Sequence, residues 1–179
     1  MTRINPVRID RASAEAASFL GGIQQKFGRI PNFFATAAHA PAIASAFAAF
    51  NGALTKTRLT AVQREAIALS QAGYHGCPYC SAAHAAFAKH AGIAAEEIGR
   101  NLKGQSEDKA NQAVIDFARA VLSARGAVDD AALKNFKAAG FDDGHVIEVI
   151  AAIAANIFTN FTNLVARPDI DFPSVEITN

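Results

Sequence analysis

The chain has 179 residues, half of them hydrophobic (51%), with a formal net charge of +1. This is enough for one domain with its own core, and the interspersed charges offer neither a basic patch for nucleic acid nor an acidic tail. The N-terminus lacks the apolar segment of a signal peptide, and the most apolar stretch, 146–155, is about half a membrane span. We therefore expect a soluble cytoplasmic protein that binds neither nucleic acid nor a membrane.

Helix-start and helix-stop residues alternate along the chain, and no stretch alternates apolar and polar residues as a strand would. The sequence predicts an all-α fold with helices at 12–27, 31–38, 41–55, 60–74, 77–91, 94–101, 107–124, 129–138 and 143–165. The predicted N-caps are Ser13, Thr60, Asp129 and Asp142, and the predicted stops are Gly28, Gly73, Gly92, Gly126 and Gly140. We expect a single domain over 1–179, with a helical extension at about 1–57, a redox core at about 58–165 and an extended tail at 166–179.

Reactive side chains concentrate in one predicted helix, 77–91. On a helical wheel, Cys77, Cys80 and His84 share one stripe, and the stripe lies on the apolar side of the helix. The two cysteines lie at the helix N-terminus, where the macrodipole and free N–H groups favour a thiolate. Cys77 is nearer the preceding loop, so we expect it to be the more exposed of the two. In a reducing cytosol, an isolated Cys-x-x-Cys pair indicates redox or metal chemistry rather than a structural crosslink.

A carboxylate in the preceding helix completes a possible proton relay. Glu65 falls in the middle of the apolar arc of helix 60–74, opposite a predicted solvent face marked by Gln63, Arg64, Ser70 and Gln71. A carboxylate there needs a partner, and the short 73–76 connection brings His84 close. Glu65 would polarise His84, His84 would take a proton from Cys80, and the thiolate would attack, with Cys77 resolving the product as a disulfide.

The spacing of these residues resembles a known signature. Glu65, eleven residues, Cys77-x-x-Cys80, three residues and His84 is similar to the pattern of the alkylhydroperoxidase D family, in the carboxymuconolactone decarboxylase superfamily. The similarity spans about 60–104 and is nearest to the peroxidase-related branch. Some members carry a histidine just before the second cysteine, where this chain has Tyr79. The decarboxylase branch typically lacks the cysteine pair, so decarboxylase activity is not expected.

The resemblance implies a helical oligomer that acts as a thiol-dependent peroxidase. It implies that Cys80 is the peroxidatic thiol, that Cys77 is the one opened by reductant, and that Glu65 and His84 form the proton relay. The expected partners are a hydroperoxide and a thiol or dithiol reductant, either of the lipoyl type or a small redox protein. No cofactor or metal is implied.

Two other functions compete with the peroxidase. The chain could be a disulfide reductase that serves a partner peroxidase, or a structural module in which Cys77, Cys80 and His84 hold zinc. The zinc hypothesis lacks a second Cys or His pair and must find a fourth ligand in His75 or Glu65. A thioredoxin-like enzyme is not expected, because its motif should follow a strand in a βαβ unit.

The remaining polar and apolar features have packing interpretations. We expect His75 and His90 to be structural. Tyr79 could shape the mouth of the site or pack against a neighbour, and we expect packing. The asparagines of the last helix, Asn156, Asn160 and Asn163, could line the pocket or satisfy a buried helix contact, and we expect packing or a subunit interface. A cluster of phenylalanines should pack the N-terminal segment on the redox helices: Phe27, Phe33, Phe34, Phe47 and Phe50. The broad apolar arc of 143–165, together with Ile67 and Tyr74, predicts a homo-oligomer, either a dimer, a trimer or a hexamer.

Overall fold

The computed structural model describes residues 1–173, and over this part of the chain it is helical without strands. A 3₁₀ turn at Ile9–Arg11 precedes nine α-helices. They are α1 (Ala14–Phe27), α2 (Asn32–Ala37), α3 (Pro41–Leu54), α4 (Ala61–His75), α5 (Pro78–His90), α6 (Ala95–Lys103), α7 (Lys109–Ser123), α8 (Asp130–Ala138) and α9 (Asp143–Ala166). Each predicted helix is present, with ends displaced by at most two residues, as at the start of α1, predicted at 12 and found at Ala14.

The helix starts follow from local side-chain chemistry. Ser13, Thr60, Asp129 and Asp142 each accept a hydrogen bond from a backbone N–H in the first turn of the helix that follows. Thr60 and Asp142 also form reciprocal capping boxes. The four predicted N-caps are therefore confirmed.

One predicted helix stop is wrong. Gly73 lies inside α4, and the residue that ends this helix in the left-handed region is Gly76, with φ 62°. A Cβ atom on Gly73 would lie 1.9 Å from the backbone oxygen of Leu102, in α6. Gly73 is therefore needed for the close approach of two helices and not for a turn.

Helix α4 is the centre of the fold, since α5, α6, α7 and α9 all pack against it. The predicted solvent face of this helix is therefore wrong. Ser70 and Gln71 are fully buried, and Ile67, expected to add apolar surface, is buried as well. Gln63 and Arg64 near the start of α4 are half-buried, and Tyr74 near its end is 47% exposed, as predicted. The helix therefore reaches solvent near its ends, and the polar residues at its centre do not mark a solvent face.

Helix α9 is the one helix of the described residues that is long and apolar enough to span a membrane, with a mean hydropathy of 1.6. It packs against α2, α3, α4, α5 and α7, as the core helix of a soluble bundle does. Its outer side exposes apolar residues, namely Ile147, Ile150, Phe161 and Val165. The predicted homo-oligomer would cover this surface and stays a prediction.

The N-terminal helices and the tail both reach the redox helices. Phe33, in α2, packs edge-on against Phe47 and Phe158 and joins the core cluster that contains both cysteines. Phe50, predicted to join this cluster, is 41% exposed. After α9 the chain is without helix or strand through residue 173, and the remainder of the predicted extended tail, 174–179, lies outside the described residues.

Candidate active site

The two cysteines lie at the junction between α4 and α5. Cys77 is the N-cap of α5, and its sulfur accepts a hydrogen bond from the backbone N–H of Cys80 at 3.2 Å. Pro78 occupies the first turn, where its missing N–H leaves no partner unsatisfied. Cys77 and Cys80 are joined in a disulfide, with their Cα atoms 5.3 Å apart.

Both cysteines are buried, and the expected exposure of Cys77 is wrong. Cys77 is 1% exposed and Cys80 is 2% exposed. The backbone N–H of Cys77 donates to the carbonyl oxygen of Ala72, near the end of α4. This hydrogen bond holds Cys77 against α4, where its side chain belongs to the hydrophobic core. Cys80, one turn further, lies on the wall of a cavity, whereas Cys77 is not among the residues that line it.

The predicted contact between Glu65 and His84 is present. The Oε2 atom of Glu65 lies 2.9 Å from Nδ1 of His84, and each side chain is about one-fifth exposed. This contact fixes the histidine ring and directs its other nitrogen away from the carboxylate. His84 lies one helical turn after Cys80 on α5, and all three side chains line the same cavity.

The cavity has a volume of about 330 Å³ and a largely apolar wall. The phenylalanines that line it are Phe27, Phe33, Phe34, Phe47, Phe87 and Phe172. Ionisable groups are few: Lys26 and Arg64 join Glu65, Tyr79 and His84. A cavity of this size and polarity suits a small, largely apolar molecule with one polar end directed at Cys80.

Tyr79 belongs to the cavity wall, a role beyond the packing predicted for it. Its hydroxyl accepts the backbone N–H of Phe33 at 3.0 Å and donates to Oδ1 of Asp171 at 2.7 Å. Burial raises the pKa of this phenol, so it stays protonated and able to donate. Asp171 also accepts from Arg29 and from the backbone N–H of Asn32, both at 2.9 Å.

These contacts hold the tail across the cavity. Phe172, the next residue, packs edge-on against the rings of Tyr79 and Phe87. The guanidinium of Arg29 lies 4.4 Å from the centre of the Phe172 ring. Sequence reasoning treated the tail as featureless, and the acid–aromatic pair Asp171-Phe172 was the one signal that it packs on the domain.

The asparagines of α9 divide into two groups. Asn160 bonds to a carbonyl of its own helix, as the packing interpretation predicts. Asn163 instead donates from Nδ2 to the sulfur of Cys80 at 3.3 Å, and Asn156 and Asn163 both line the cavity. Lining the pocket was the less favoured interpretation of these residues, and the contact with the Cys80 sulfur was not predicted. The available signal was three amides at spacings of four and three on an otherwise apolar helix.

The other histidines of α4 and α5 lie away from the cavity. His75 packs edge-on against Tyr74 and Phe161, and burial lowers its pKa. His90 is exposed at the end of α5. Within residues 1–173 no group of three or more His, Cys, Asp and Glu side chains is arranged to hold a metal, so the zinc alternative gains no support.

A known family matches the part of the chain that contains the site. Residues 41–124, which contain Glu65, Cys77, Cys80 and His84, match the model of the carboxymuconolactone decarboxylase family. The part of the chain that contains the site is therefore similar to the alkylhydroperoxidase D-like carboxymuconolactone decarboxylase superfamily. The resemblance predicted from the spacing is thereby confirmed, and so is the all-α fold.

Solved structures similar to this chain match it over nearly its whole length. An uncharacterized peroxidase-related protein with an alkylhydroperoxidase core, from Ralstonia eutropha JMP134, is 23% identical, with a TM-score of 0.81 over 98% of this chain and 93% of that one. A cysteine-to-alanine variant of the debrominase Bmp8, in complex with 2,3,4-tribromopyrrole, is 20% identical, with a TM-score of 0.78 over 96% and 92%. A peroxidase-related protein from Silicibacter sp. TM1040 is 21% identical, with a TM-score of 0.76 over 97% and 93%. A search of curated proteins gave no match.

Proposed function

We propose that this protein is a thiol-dependent peroxidase that reduces hydroperoxides at Cys80. The observation that carries the proposal is the hydrogen-bonded pair of Glu65 and His84 on the wall of the cavity that also contains Cys80. A histidine held by a carboxylate is a suitable proton acceptor for a neighbouring thiol. The family and the fold support redox chemistry at the cysteine pair.

The oxidative half-reaction uses both cysteines. His84 takes the Cys80 proton, and the thiolate attacks the terminal oxygen of the hydroperoxide. The O–O bond breaks, Cys80 becomes a sulfenic acid, and the leaving alkoxide takes the proton back from His84 to give an alcohol. The Cys77 thiol then attacks the Cys80 sulfur and expels water, which leaves the disulfide.

A dithiol reductant must reopen the disulfide with two electrons. The resemblance implies that the reductant opens the disulfide at Cys77, but Cys80 and not Cys77 lines the cavity. We therefore propose the reverse order, in which the incoming sulfur meets Cys80 first and Cys77 leaves as a thiolate held by the N–H at the start of α5. The second thiol of the reductant then releases Cys80. A narrow dithiol of the lipoyl type fits this route. Burial of both sulfurs counts against the alternative of a disulfide reductase that docks a whole partner protein.

Reductive dehalogenation is a second candidate, favoured by the aromatic wall around Cys80 and by the likeness to Bmp8. In that reaction an aryl bromide and two thiols give the hydrogen-substituted arene, the disulfide and hydrogen bromide. The same pair of cysteines supplies the two electrons. Parallel assays with cumene hydroperoxide and with 2,3,4-tribromopyrrole separate the two candidate functions, because the true substrate is the compound that oxidises the two thiols.

The proposal is tested by hydroperoxide consumption in the presence of dihydrolipoamide. Wild type should turn over, and Cys80→Ser should consume no peroxide. Cys77→Ser should carry out one oxidation and stall at the sulfenic acid. If Cys80→Ser retains the first oxidation and Cys77→Ser loses it, the assignment of the two thiols is reversed.

The relay is tested by a double-mutant cycle of Glu65→Gln and His84→Gln. Both residues serve one proton transfer, so the double variant should be little slower than His84→Gln alone. The loss in each variant should shrink at high pH, where the thiol ionises without help. Strictly additive effects on the logarithm of the rate would leave Glu65 a structural residue.

A further inference from the structure

Cys80 has a third polar neighbour besides His84 and Glu65. Asn163 lies on α9, 83 residues away in sequence, and is only 5% exposed. Its Nδ2 atom lies 3.3 Å from the Cys80 sulfur, while its Oδ1 atom is buried and has no hydrogen-bond partner among the described residues. A buried carbonyl oxygen without a partner is costly, and Asn163 is one of the residues that line the cavity.

We propose that Asn163 is a catalytic residue that holds the Cys80 thiolate with its N–H group and accepts the hydroxyl hydrogen of the incoming hydroperoxide with its oxygen. The inference rests on the proposed function. The two atoms of one amide would then bracket the reacting atoms, with the sulfur on one side and the terminal O–H on the other. After O–O cleavage the same oxygen accepts the hydrogen of the Cys80 sulfenic acid, while His84 protonates the leaving alkoxide.

The two sulfurs are held by different donors. Cys77 accepts a backbone N–H from Cys80, at the start of α5, whereas the hydrogen bond described for the Cys80 sulfur comes from a side chain. Substitution of Asn163 therefore removes the support of one thiolate and leaves the other intact. Hydrogen bonds to charged groups are stronger than those between neutral groups, so the effect on a buried thiolate should be measurable.

Among the described residues, the hydrogen bond to the Cys80 sulfur comes from Asn163, although ionisable groups line the same cavity. These groups are Arg64 and Glu65 from α4, Tyr79 and His84 from α5, and Lys26 from α1. Helix α9 contributes no charged group to the cavity, and its polar lining residues are Asn156, Thr159 and Asn163. Asn163 is thus the contribution of α9 to thiolate stability.

The test uses a chain whose only thiol is Cys80. In the Cys77→Ser background, the serine hydroxyl retains the N-cap hydrogen bond of α5. The reaction of Cys80 with methyl methanethiosulfonate is followed against pH, together with the thiolate absorbance near 240 nm. Asn163→Ala and the near-isosteric Asn163→Asp remove the donor, and Asn160→Ala serves as the matched control because this buried amide bonds to its own helix.

We expect the apparent pKa of Cys80 to rise by about one in Asn163→Ala, a tenfold loss of thiolate at lower pH, and to rise further in Asn163→Asp. Asn160→Ala should leave this pKa unchanged. A pKa that does not move in either Asn163 variant, when both are folded by circular dichroism, overturns the donor role. Because this experiment contains no peroxide, its result stands even if the proposed peroxidase activity fails.

A second electrophile tests the acceptor role. At a pH where Cys80 is fully ionised in every variant, Asn163→Ala should react with methyl methanethiosulfonate as fast as its parent, because this reagent carries no hydroxyl. With cumene hydroperoxide it should stay slower by about tenfold, the loss expected for one hydrogen bond at the transition state. Equal recovery with both electrophiles would overturn the acceptor role.

Discussion

The tail contact at Asp171 gives a prediction that can be worked through quantitatively. We consider the change Asp171→Ala. It removes the acceptor for three donors, namely the Tyr79 hydroxyl, the backbone N–H of Asn32 and the guanidinium of Arg29. The Asn32 N–H belongs to the first turn of α2, so it has no partner within its own helix.

The three contacts contribute unequally to the free energy of unfolding. The phenol and the backbone N–H are partly or wholly buried, and a hydrogen bond to a charged acceptor contributes about 1.5–3 kcal/mol. The Arg29 side chain is 43% exposed, so its ion pair contributes about 0–1 kcal/mol after solvent screening. Because Asp171 is itself 21% exposed, water can replace part of what is lost. We expect a destabilisation of about 2–4 kcal/mol, or about 5–12 °C in Tm for a domain of this size.

The measurement is thermal unfolding followed by circular dichroism, with urea unfolding as a second measure. The matched control is Asp169→Ala, in the same tail. It removes an exposed hydrogen bond that the Thr2 hydroxyl donates, and it should change the free energy of unfolding by less than about 0.5 kcal/mol. If Asp171→Ala were no less stable than Asp169→Ala, the tail would not be anchored to the cavity wall as described.

Three further predictions concern helix packing and pH. In a urea titration, Gly73→Ala should lower the free energy of unfolding by about 2 kcal/mol or more, because a Cβ atom there meets a backbone oxygen of α6. The control Gly52→Ala, on α3, places its Cβ atom in open space and should be neutral or stabilising. Burial raises the pKa of Tyr79, so the stabilising contribution of its protonated phenol is complete below about pH 10 and is lost as the pH rises through the pKa in the folded protein. In an ultraviolet titration of tyrosinate, Tyr79→Phe should remove the component that ionises at the higher pH. The hydrogen bond from Arg58 lowers the pKa of Asp142, so the stabilising contribution of this carboxylate is complete above about pH 4 and is lost as the pH falls. Asp142→Asn should therefore flatten the fall in Tm between about pH 7 and pH 2. An unchanged slope of Tm against pH would contradict this.

The parts of the fold and the site that follow local rules could be predicted from the sequence. Caps such as Thr60 and Asp142 act on the three residues after them, so their effect is visible in the sequence alone. The pairing of Glu65 with His84 was also predictable, because a short connection joins two adjacent helices and a carboxylate on an apolar arc needs a partner.

The features that could not be predicted depend on long-range contacts. Gly73 was wrongly predicted to end a helix. The structure requires glycine there because the backbone of Leu102 packs against it, and the sequence does not show that these two residues are close. The solvent face assigned to α4 was wrong at Ser70 and Gln71, because four helices pack around the centre of α4 and bury its polar residues there. Asn163 and Asp171 reach α5 across 83 and 92 residues, so their amide and carboxylate looked like ordinary packing and surface residues.

The central claim is that hydroperoxide oxidises the cysteine pair directly, and a thiol titration tests it most directly. Fully reduced protein carries two thiols per chain, Cys77 and Cys80. One equivalent of cumene hydroperoxide should remove both, yield one equivalent of cumyl alcohol and leave an intramolecular disulfide detectable by mass. In Cys77→Ser the same addition should consume the single thiol and give a sulfenic acid that dimedone traps. Two thiols that persist beside unreacted hydroperoxide would contradict the account.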